Sequence, residues 1–245
     1  MIDCPINSRL NPHFQLSDIV VTQHNSLSIK AAKMIIEAGE STSLNPLLIL
    51  GLTGSGKTHL AQGLGNEILK REPNKTVVYA TASEFIDQYL DAVKSNHLSD
   101  FYSFYQKMDV LILDDIHDFI DVNTQACLLQ VTDYLIRNER LVVFTSGKYI
   151  YHLSSSFPER LINRCRRGLV VEINELTDSE RFEIISRFAP EISEEVKCFI
   201  SELPLQDIGM IKGIISSIKL QHSSETVSLA LAKEVISLIL GELYD

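Results

Sequence analysis

Residues 47–58 read LLILGLTGSGKT, in which four apolar residues lead directly into a glycine-rich loop that ends in Lys57 and Thr58. A short apolar run bounded by glycine is typical of a buried strand. The loop fills every fixed position of the pattern G-x-x-x-x-G-K-[ST], and a helical pattern follows it to about Lys70. A strand, this loop and a helix in that order predict a phosphate-binding loop.

The residue types of the loop predict how it would hold a nucleoside triphosphate. Its glycines let the backbone turn so that N–H groups face the phosphates, and the following helix adds its positive end. Lys57 is expected to reach the β- and γ-oxygens, and Thr58 to offer its hydroxyl to Mg²⁺. We therefore predict ATP or ADP with Mg²⁺ as the ligand, held by Gly51, Thr53, Gly54, Ser55, Gly56, Lys57 and Thr58.

Four further apolar runs match the first in length: 76–80, 110–113, 141–145 and 169–173. They are apolar throughout and are separated by helical stretches, two of which are expected to open at Ser83 and Thr124, so a parallel sheet covered on both faces is predicted. Only helical patterns follow, at 178–188, 193–203, 207–221 and 225–240. We predict an α/β fold, with a phosphate-loop core and five-stranded parallel sheet over residues 1–174 and a small all-α lid subdomain over 175–245.

The third apolar run ends in two adjacent carboxylates, Asp114 and Asp115. In a parallel sheet this end of the strand lies beside the phosphate loop. Asp114 is expected to hold Mg²⁺ through water, and Asp115 to orient and polarise the water that attacks the phosphate. The alternative is that both are solvated acids at the end of a strand.

Charge and hydropathy exclude several classes of protein. The net charge of −10 and the pI near 5.2 argue against a surface that holds nucleic acid by bulk attraction, so any DNA contact is expected only in an assembly. The first twenty residues have no apolar stretch for a signal peptide, and no later run reaches the ~18 apolar residues of a membrane span. We expect a cytoplasmic protein without membrane contact, whose dispersed cysteines are buried thiols: Cys4, Cys127, Cys165 and Cys198.

Four motifs, one of which consists of two segments, together carry a family resemblance. They are residues 11–25, which include Asn11-Pro12-His13-Phe14 and Ile19-Val20-Val21; the loop and helix at 56–69; the pair 77–85 and 110–117; and 159–169, which begins Glu159-Arg160-Leu161. In this order and spacing they resemble the AAA+ domain of the bacterial replication initiator DnaA and its regulatory relative Hda. The resemblance covers about residues 11–240.

The resemblance implies roles for residues outside the loop. It places Val20 and Val21 in the segment that wraps the adenine and adds His59 to the nucleotide contacts, although His59 alone is typical of an ordinary helix residue. The same ordinary role is expected for His24 and His117. Arg164 would be an arginine finger that acts in trans on the γ-phosphate of a neighbouring module.

Arg164 lies in a basic run with Arg160, Arg166 and Arg167, which is unusual in so acidic a chain. A partner interface or a phosphate contact would explain this run, and a solvated charged surface is the alternative.

Two positions depart from the family pattern. Gly147 stands where an acidic sensor residue is expected, so that Thr145 or Ser146 would contact the γ-phosphate only weakly. Gly209 stands where a second sensor, an arginine, is expected; Lys212 lies on nearly the same helical face but is better explained as lid surface. These departures predict ATP hydrolysis that is weak or depends on a partner.

The leading functional hypothesis is a module of replication initiation or its regulation, which associates with a DnaA-like AAA+ partner or with itself according to the bound nucleotide. No stand-alone sequence-specific DNA-binding domain is recognised. The alternatives are a helicase-loader-type ATPase and a nucleotide-binding scaffold without turnover.

Overall fold

The computed structural model describes residues 10–38, 44–149, 152, 157–221 and 227–241. Contacts along the chain divide them into two compact units. The first, called the sheet unit, takes in the described residues of Met1–Ile19, Asn25–Gly51 and Lys57–Ile173. The second, called the helical unit, takes in those of Val20–His24, Leu52–Gly56 and Asn174–Asp245.

The sheet unit is built on a parallel sheet, and the predicted fold class is confirmed. Within the described residues its five strands are β1 (Leu47–Gly51), β2 (Val77–Thr81), β3 (Val110–Asp114), β4 (Leu141–Ser146) and β5 (Leu169–Ile173). They lie side by side in the order β2-β3-β4-β1-β5. This order brings the ends of β1, β3 and β4 together at one edge of the sheet, where the phosphate loop and the acidic pair begin.

Both faces of the sheet are covered, as the uniformly apolar strands predicted. Leu47 and Ile49 point into one apolar cluster, and Leu48 and Leu50 point into the other. The helices of this unit are α1 (Ser26–Ala38), α2 (Lys57–Arg71), α3 (Ala82–Lys94), α4 (Leu98–Tyr105), α5 (Val122–Arg137) and α6 (Glu159–Arg167).

Two predicted helix starts were wrong by a few residues. Helix α3 is capped by Thr81, which forms a reciprocal capping box with Glu84, and not by Ser83. Helix α5 is capped by Asp121, whose carboxylate accepts hydrogen bonds from the N–H groups of Asn123 and Thr124. In both cases the true cap satisfies backbone donors that the later start would leave without a partner.

The helical unit contains α7 (Asp178–Phe188), α8 (Glu194–Glu202), α9 (Ile208–Gln221) and α10 (Leu229–Leu240), which surround their own apolar core. The last helix begins after the cap Ser228, later than the predicted residue 225. Of the cysteines, Cys127 and Cys165 are buried as predicted, but Cys198 is exposed, and Cys4 lies outside the described residues. Among the described helices, none has the length and apolar character needed to cross a membrane.

Candidate nucleotide-binding site

Asp114, at the end of β3, is the centre of a hydrogen-bonded cluster in the sheet unit. Its carboxylate is almost fully buried and accepts hydrogen bonds from the hydroxyls of Thr58, at 2.7 Å, and Tyr79, at 2.8 Å. The hydroxyl of Thr145 donates to its other oxygen. Burial raises the pKa of Tyr79, and its contact with Asp114 raises it further, so the phenol stays a donor. Three donors satisfy the buried carboxylate and fix its orientation.

The oxygens of Thr58 and Asp114 fit a hard cation such as Mg²⁺. Because the Thr58 hydroxyl donates its one hydrogen to Asp114, its oxygen lone pairs can coordinate a metal ion or accept a hydrogen bond from metal-bound water. Thr58 would bind Mg²⁺ directly and Asp114 would hold it through water. When bound, the ion would neutralise phosphate charge.

Asp115 has the left-handed backbone conformation, with φ 57° and ψ 49°, which an aspartate adopts at a cost of ~1–3 kcal/mol. Its N–H donates to the Thr145 hydroxyl at 2.8 Å, which helps to hold this conformation. Burial raises the pKa of Asp115, and the neighbouring charge of Asp114 raises it further. A partly exposed carboxylate with a raised pKa is suited to accept a proton from water, the role predicted for it.

Lys57, the first residue of α2, is buried with 6% of its surface exposed. Burial lowers its pKa, and the carboxylates of Asp115 and Asp114 offset part of this change. A buried cation gains most from an anionic ligand that replaces its lost hydration. This environment suits the predicted contact with phosphate oxygens.

The phosphate loop requires glycine at Gly54 and Gly56, whose φ angles are +76° and +99°. A Cβ at Gly54 would also lie 2.1 Å from Cγ of Asp207, within the helical unit. The carbonyl of Gly54 accepts a hydrogen bond of 3.0 Å from the N–H of Ile208, the first residue of α9. Leu52–Gly56 thus belong structurally with α9, which the sequence did not predict.

Two other predicted loop contacts differ in burial. Thr53 is exposed, whereas Ser55 is buried and its hydroxyl has no hydrogen-bond partner among the described residues. A buried hydroxyl without a partner is costly unless a ligand completes it.

Val20 and Val21, predicted to contact the adenine, and His59, predicted to contact the nucleotide, differ in burial and in the residues they contact. Val20 packs against the core of the helical unit and Val21 is 48% exposed. His59 lies on α2, where its ring stacks on Phe14 with centroids 4.8 Å apart and its Nε2 lies 3.0 Å from the carbonyl of Gln15. These contacts anchor the N-terminal segment on α2, and the contact of His59 with nucleotide stays a prediction.

A buried polar network beside Val21 was missed in the sequence. Glu180 accepts hydrogen bonds from the N–H of His24, at 2.6 Å, and from the hydroxyl of Thr22, at 3.3 Å. Burial alone would raise the pKa of Glu180, but hydrogen bonds from Thr177 and His24 outweigh it, and its pKa falls. Burial lowers the pKa of His24, so the imidazole is kept neutral although Glu180 opposes this. The network joins Thr22–His24 to the first turn of α7.

The residues around Gly147 differ from the expectation that Thr145 or Ser146 would face a phosphate. Thr145 uses its hydroxyl on Asp114 and Asp115, and the Ser146 hydroxyl donates to the carbonyl of Lys148 at 2.8 Å. The side chain that lies against Gly147 is His117, to which the Gly147 N–H donates a hydrogen bond of 3.1 Å. His117 was predicted to be an ordinary residue.

Lys212, which was weighed as a substitute for the arginine expected at Gly209, contacts an aromatic ring. Its ammonium lies over the ring of Phe188, 4.3 Å from the centroid, in a cation–π contact inside the helical unit. This agrees with the alternative that Lys212 is part of the lid surface.

Arg164, the predicted finger, is held by a buried carboxylate on α5. Its Nε lies 2.5 Å from Oδ1 of Asp133, whose side chain is 6% exposed. Arg160 and Arg137 approach Oδ2 of the same group at 3.4 and 3.5 Å. A charge-assisted hydrogen bond of this kind fixes the direction of a guanidinium. The contact of Asp133 with Arg164 was not predicted from the sequence.

The strand order defines the class of this protein. The phosphate loop follows β1 and the acidic pair lies at the end of β3, while β4 lies between these strands and ends directly before Gly147. A parallel sheet with this arrangement and a following helical unit is that of an AAA+ domain. The chain belongs to the family of the bacterial DnaA ATPase domain, whose pattern matches residues 10–172.

Known proteins of this family resemble the chain over most of its length. The chromosomal replication initiator protein DnaA of Flavobacterium psychrophilum is 34% identical over 239 residues, which cover 94% of this chain and 50% of that protein. The chain thus spans about half the length of the curated relatives it matches. Domain III of the Thermotoga maritima replication initiation protein DnaA is 28% identical with a TM-score of 0.86, covering 95% and 99% of the two chains. AMPPCP-bound DnaA from Aquifex aeolicus is 30% identical with a TM-score of 0.81, covering 87% and 67%.

Proposed function

We propose that this chain is a nucleotide-dependent module of replication initiation or its regulation, which binds ATP or ADP with Mg²⁺ and associates with a DnaA-like AAA+ partner or with a second copy of itself. Family membership and the AMPPCP bound by the Aquifex aeolicus relative support the nucleotide. Lys57, desolvated beside Asp114 and Asp115, supplies a buried cation for phosphate.

The single observation that carries the proposed association is Arg164. Its guanidinium is held by Asp133, and its side chain remains 28% exposed, so that it is fixed and still reachable. Arg160 beside it is 74% exposed. A fixed arginine offered to a neighbour's γ-phosphate contributes ~10³-fold or more to hydrolysis where it acts as a finger. An acidic chain that concentrates arginines here has a local site for an anion.

The nucleotide part is tested by titrating the purified chain with a fluorescent ATP analogue and displacing it with ATP or ADP, with and without Mg²⁺. Lys57→Ala should weaken binding at least tenfold, since it removes a charged contact of ~1.5–3 kcal/mol. Lys70→Ala, which removes an exposed lysine from the same helix, is the control. Equal affinity in all three proteins would contradict the proposed site.

The association is tested by light scattering of the chain mixed with the full DnaA initiator of its own cell, in ATP, ADP or no nucleotide. Scattering should rise with ATP and fall back in Arg164→Ala, whereas Arg187→Ala, which removes an exposed arginine from α7, should behave as wild type. No association under any nucleotide would refute the proposed partner. Capture of a replicative helicase instead would favour the loader alternative.

The glycines at the two positions where the resemblance leads us to expect sensor residues support a second candidate, a nucleotide-binding scaffold without turnover. Gly147 and Gly209 offer no side chain to the phosphates, and Lys212 is engaged by Phe188. Phosphate release measured with and without the initiator distinguishes the two. Release that is lost in Asp115→Asn would exclude the scaffold.

A further inference from the structure

The glycine at position 147 and the imidazole of His117 form a matched pair. Gly147 directly follows β4, and its N–H donates to Nδ1 of His117 at 3.1 Å. A Cβ at this position would lie 3.2 Å from Cε1 and 3.3 Å from Nε2 of the ring. The imidazole therefore occupies the space into which a side chain at position 147 would project.

The hydrogen bond from Gly147 determines which ring nitrogen of a neutral His117 is the acceptor. Because Nδ1 accepts a hydrogen bond, the neutral ring carries its proton on Nε2. The facing carboxylates do not take up this proton in a hydrogen bond, since Oδ1 of Asp118 lies 3.8 Å from Nε2 and Oδ1 of Asp115 lies 3.8 Å from Nδ1. His117 thus provides an N–H donor where a carboxylate at position 147 would provide only acceptors.

His117 also lies beside Asp115, the residue predicted to act at the terminal phosphate. Its neighbour Asp115 is hydrogen-bonded to Thr145, and Asp115 is close enough to Lys57 to shift the pKa of the lysine. The side chain of His117 is 20% exposed, so part of it remains accessible to a ligand. A donor at this edge of the sheet is suited to the terminal phosphate of a nucleoside triphosphate.

We propose that His117 replaces the acidic sensor residue that Gly147 lacks, by donating its Nε2–H to the γ-phosphate. The residue would distinguish a triphosphate from a diphosphate, because only the triphosphate presents an acceptor there. This inference rests on the proposed nucleotide site and adds to it the residue that reads the nucleotide state.

The first test compares the dissociation constants of AMPPCP and ADP in the purified chain with Mg²⁺. His117→Ala should weaken AMPPCP about tenfold or more, as expected for a lost hydrogen bond to a charged group, and should leave ADP unchanged. His117→Gln, which keeps an N–H donor, should recover part of the difference. His97→Ala, which removes an exposed imidazole before α4, is the control.

The second test measures the melting temperature of the nucleotide-free protein. Gly147→Val should lower it by several degrees because its methyl groups meet the ring of His117, and the same change made together with His117→Ala should cost clearly less. Additive effects of the two changes would show that the two residues are not a matched pair and would overturn the inference.

The outcomes separate this inference from the proposed function. If the wild-type chain binds neither AMPPCP nor ADP, the nucleotide site itself is wrong. If it binds both, and His117→Ala changes both affinities equally or changes neither, the site stands and the role of His117 is wrong.

Discussion

The contact between Asp133 and Arg164 gives a prediction whose size follows from the structure. Asp133→Ala removes a buried carboxylate that accepts from Arg164 Nε at 2.5 Å and lies within 3.5 Å of Arg160 and Arg137. A hydrogen bond between charged groups in a buried setting contributes about 1.5–3 kcal/mol to the free energy of unfolding. The other two arginines are 74% and 70% exposed, and such pairs contribute only ~0.2–1 kcal/mol each.

A double-mutant cycle isolates this contact. The free energy of unfolding is measured in urea for the wild type, Asp133→Ala, Arg164→Ala and the double variant. We expect a coupling energy of about 1.5–3 kcal/mol for this pair, whereas the matched cycle of Asp133 with Arg137 should give ~0.5 kcal/mol or less. A coupling energy below ~0.5 kcal/mol for Asp133 and Arg164 would refute the claim that the carboxylate positions the guanidinium.

The functional consequence has its own signature. Asp133→Asn keeps an acceptor for Arg164 but removes the charge that directs it, so hydrolysis stimulated by the initiator should fall while nucleotide affinity stays the same. Asp133→Asn combined with Arg164→Ala should lose no more than Arg164→Ala alone, because both changes act on one contact. Independent losses would mean that Asp133 acts through another group.

Three further predictions concern the loop, the helical unit and the acidic pair. Gly54 has φ +76° and a Cβ there would meet the carboxylate of Asp207, so Gly54→Ala should lower the free energy of unfolding by more than ~1 kcal/mol and weaken nucleotide binding. The control Gly213→Ala, which adds a methyl group in open space on α9, should raise the free energy of unfolding by ~0.5–1 kcal/mol, as measured by thermal unfolding. Because the pKa of Glu180 is lowered in the folded protein, its ionised carboxylate contributes fully to the free energy of unfolding above its ordinary pKa of 4.5, and this contribution is lost as the pH falls through the pKa of the folded state. The free energy of unfolding measured from pH 7 to 3 should show this loss in the wild type and should depend less on pH in Glu180→Gln. The raised pKa of Asp115 predicts that any ATP turnover declines on acidification at a higher pH than the pKa of an ordinary aspartate would cause. A pH profile of phosphate release measures this, and a decline at the pKa of an ordinary aspartate would contradict the role of Asp115 as a base.

The strands and the phosphate loop were predictable because their signals are local. The run ending at Leu50 is apolar at every position since it is buried on both faces, and the loop follows within the same twelve residues. The capping box of Thr81 and Glu84 is also a local signal, although Ser83 competed with it. Such features need no knowledge of which strands become neighbours.

The contacts that refine the site were not predictable, because they join residues distant in sequence. His117 meets Gly147 through the pairing of β3 with β4, and Asp133 of α5 meets Arg164 of α6; each pair is separated by about thirty residues in the sequence. Nothing in the residue types alone selects these partners from other histidines and acids. Tyr79 is a similar case, since a strand tyrosine is expected in an apolar core until its hydroxyl is found on Asp114.

Within the helical unit, the phosphate loop is bonded to the start of α9 through the backbone. The carbonyl of Gly54 accepts from the N–H of Ile208, and Asp207 caps the same helix by accepting from the N–H of Met210 at 3.1 Å. An arginine at Gly209 would begin 3.0 Å from the carboxylate of Asp207, in the first turn of that helix. Because this helix start is bonded to the loop backbone, a phosphate that drew the N–H groups of the loop toward itself would act on α9 through Gly54. The chain therefore has a direct backbone connection between its phosphate loop and the helix on which the sensor arginine was expected.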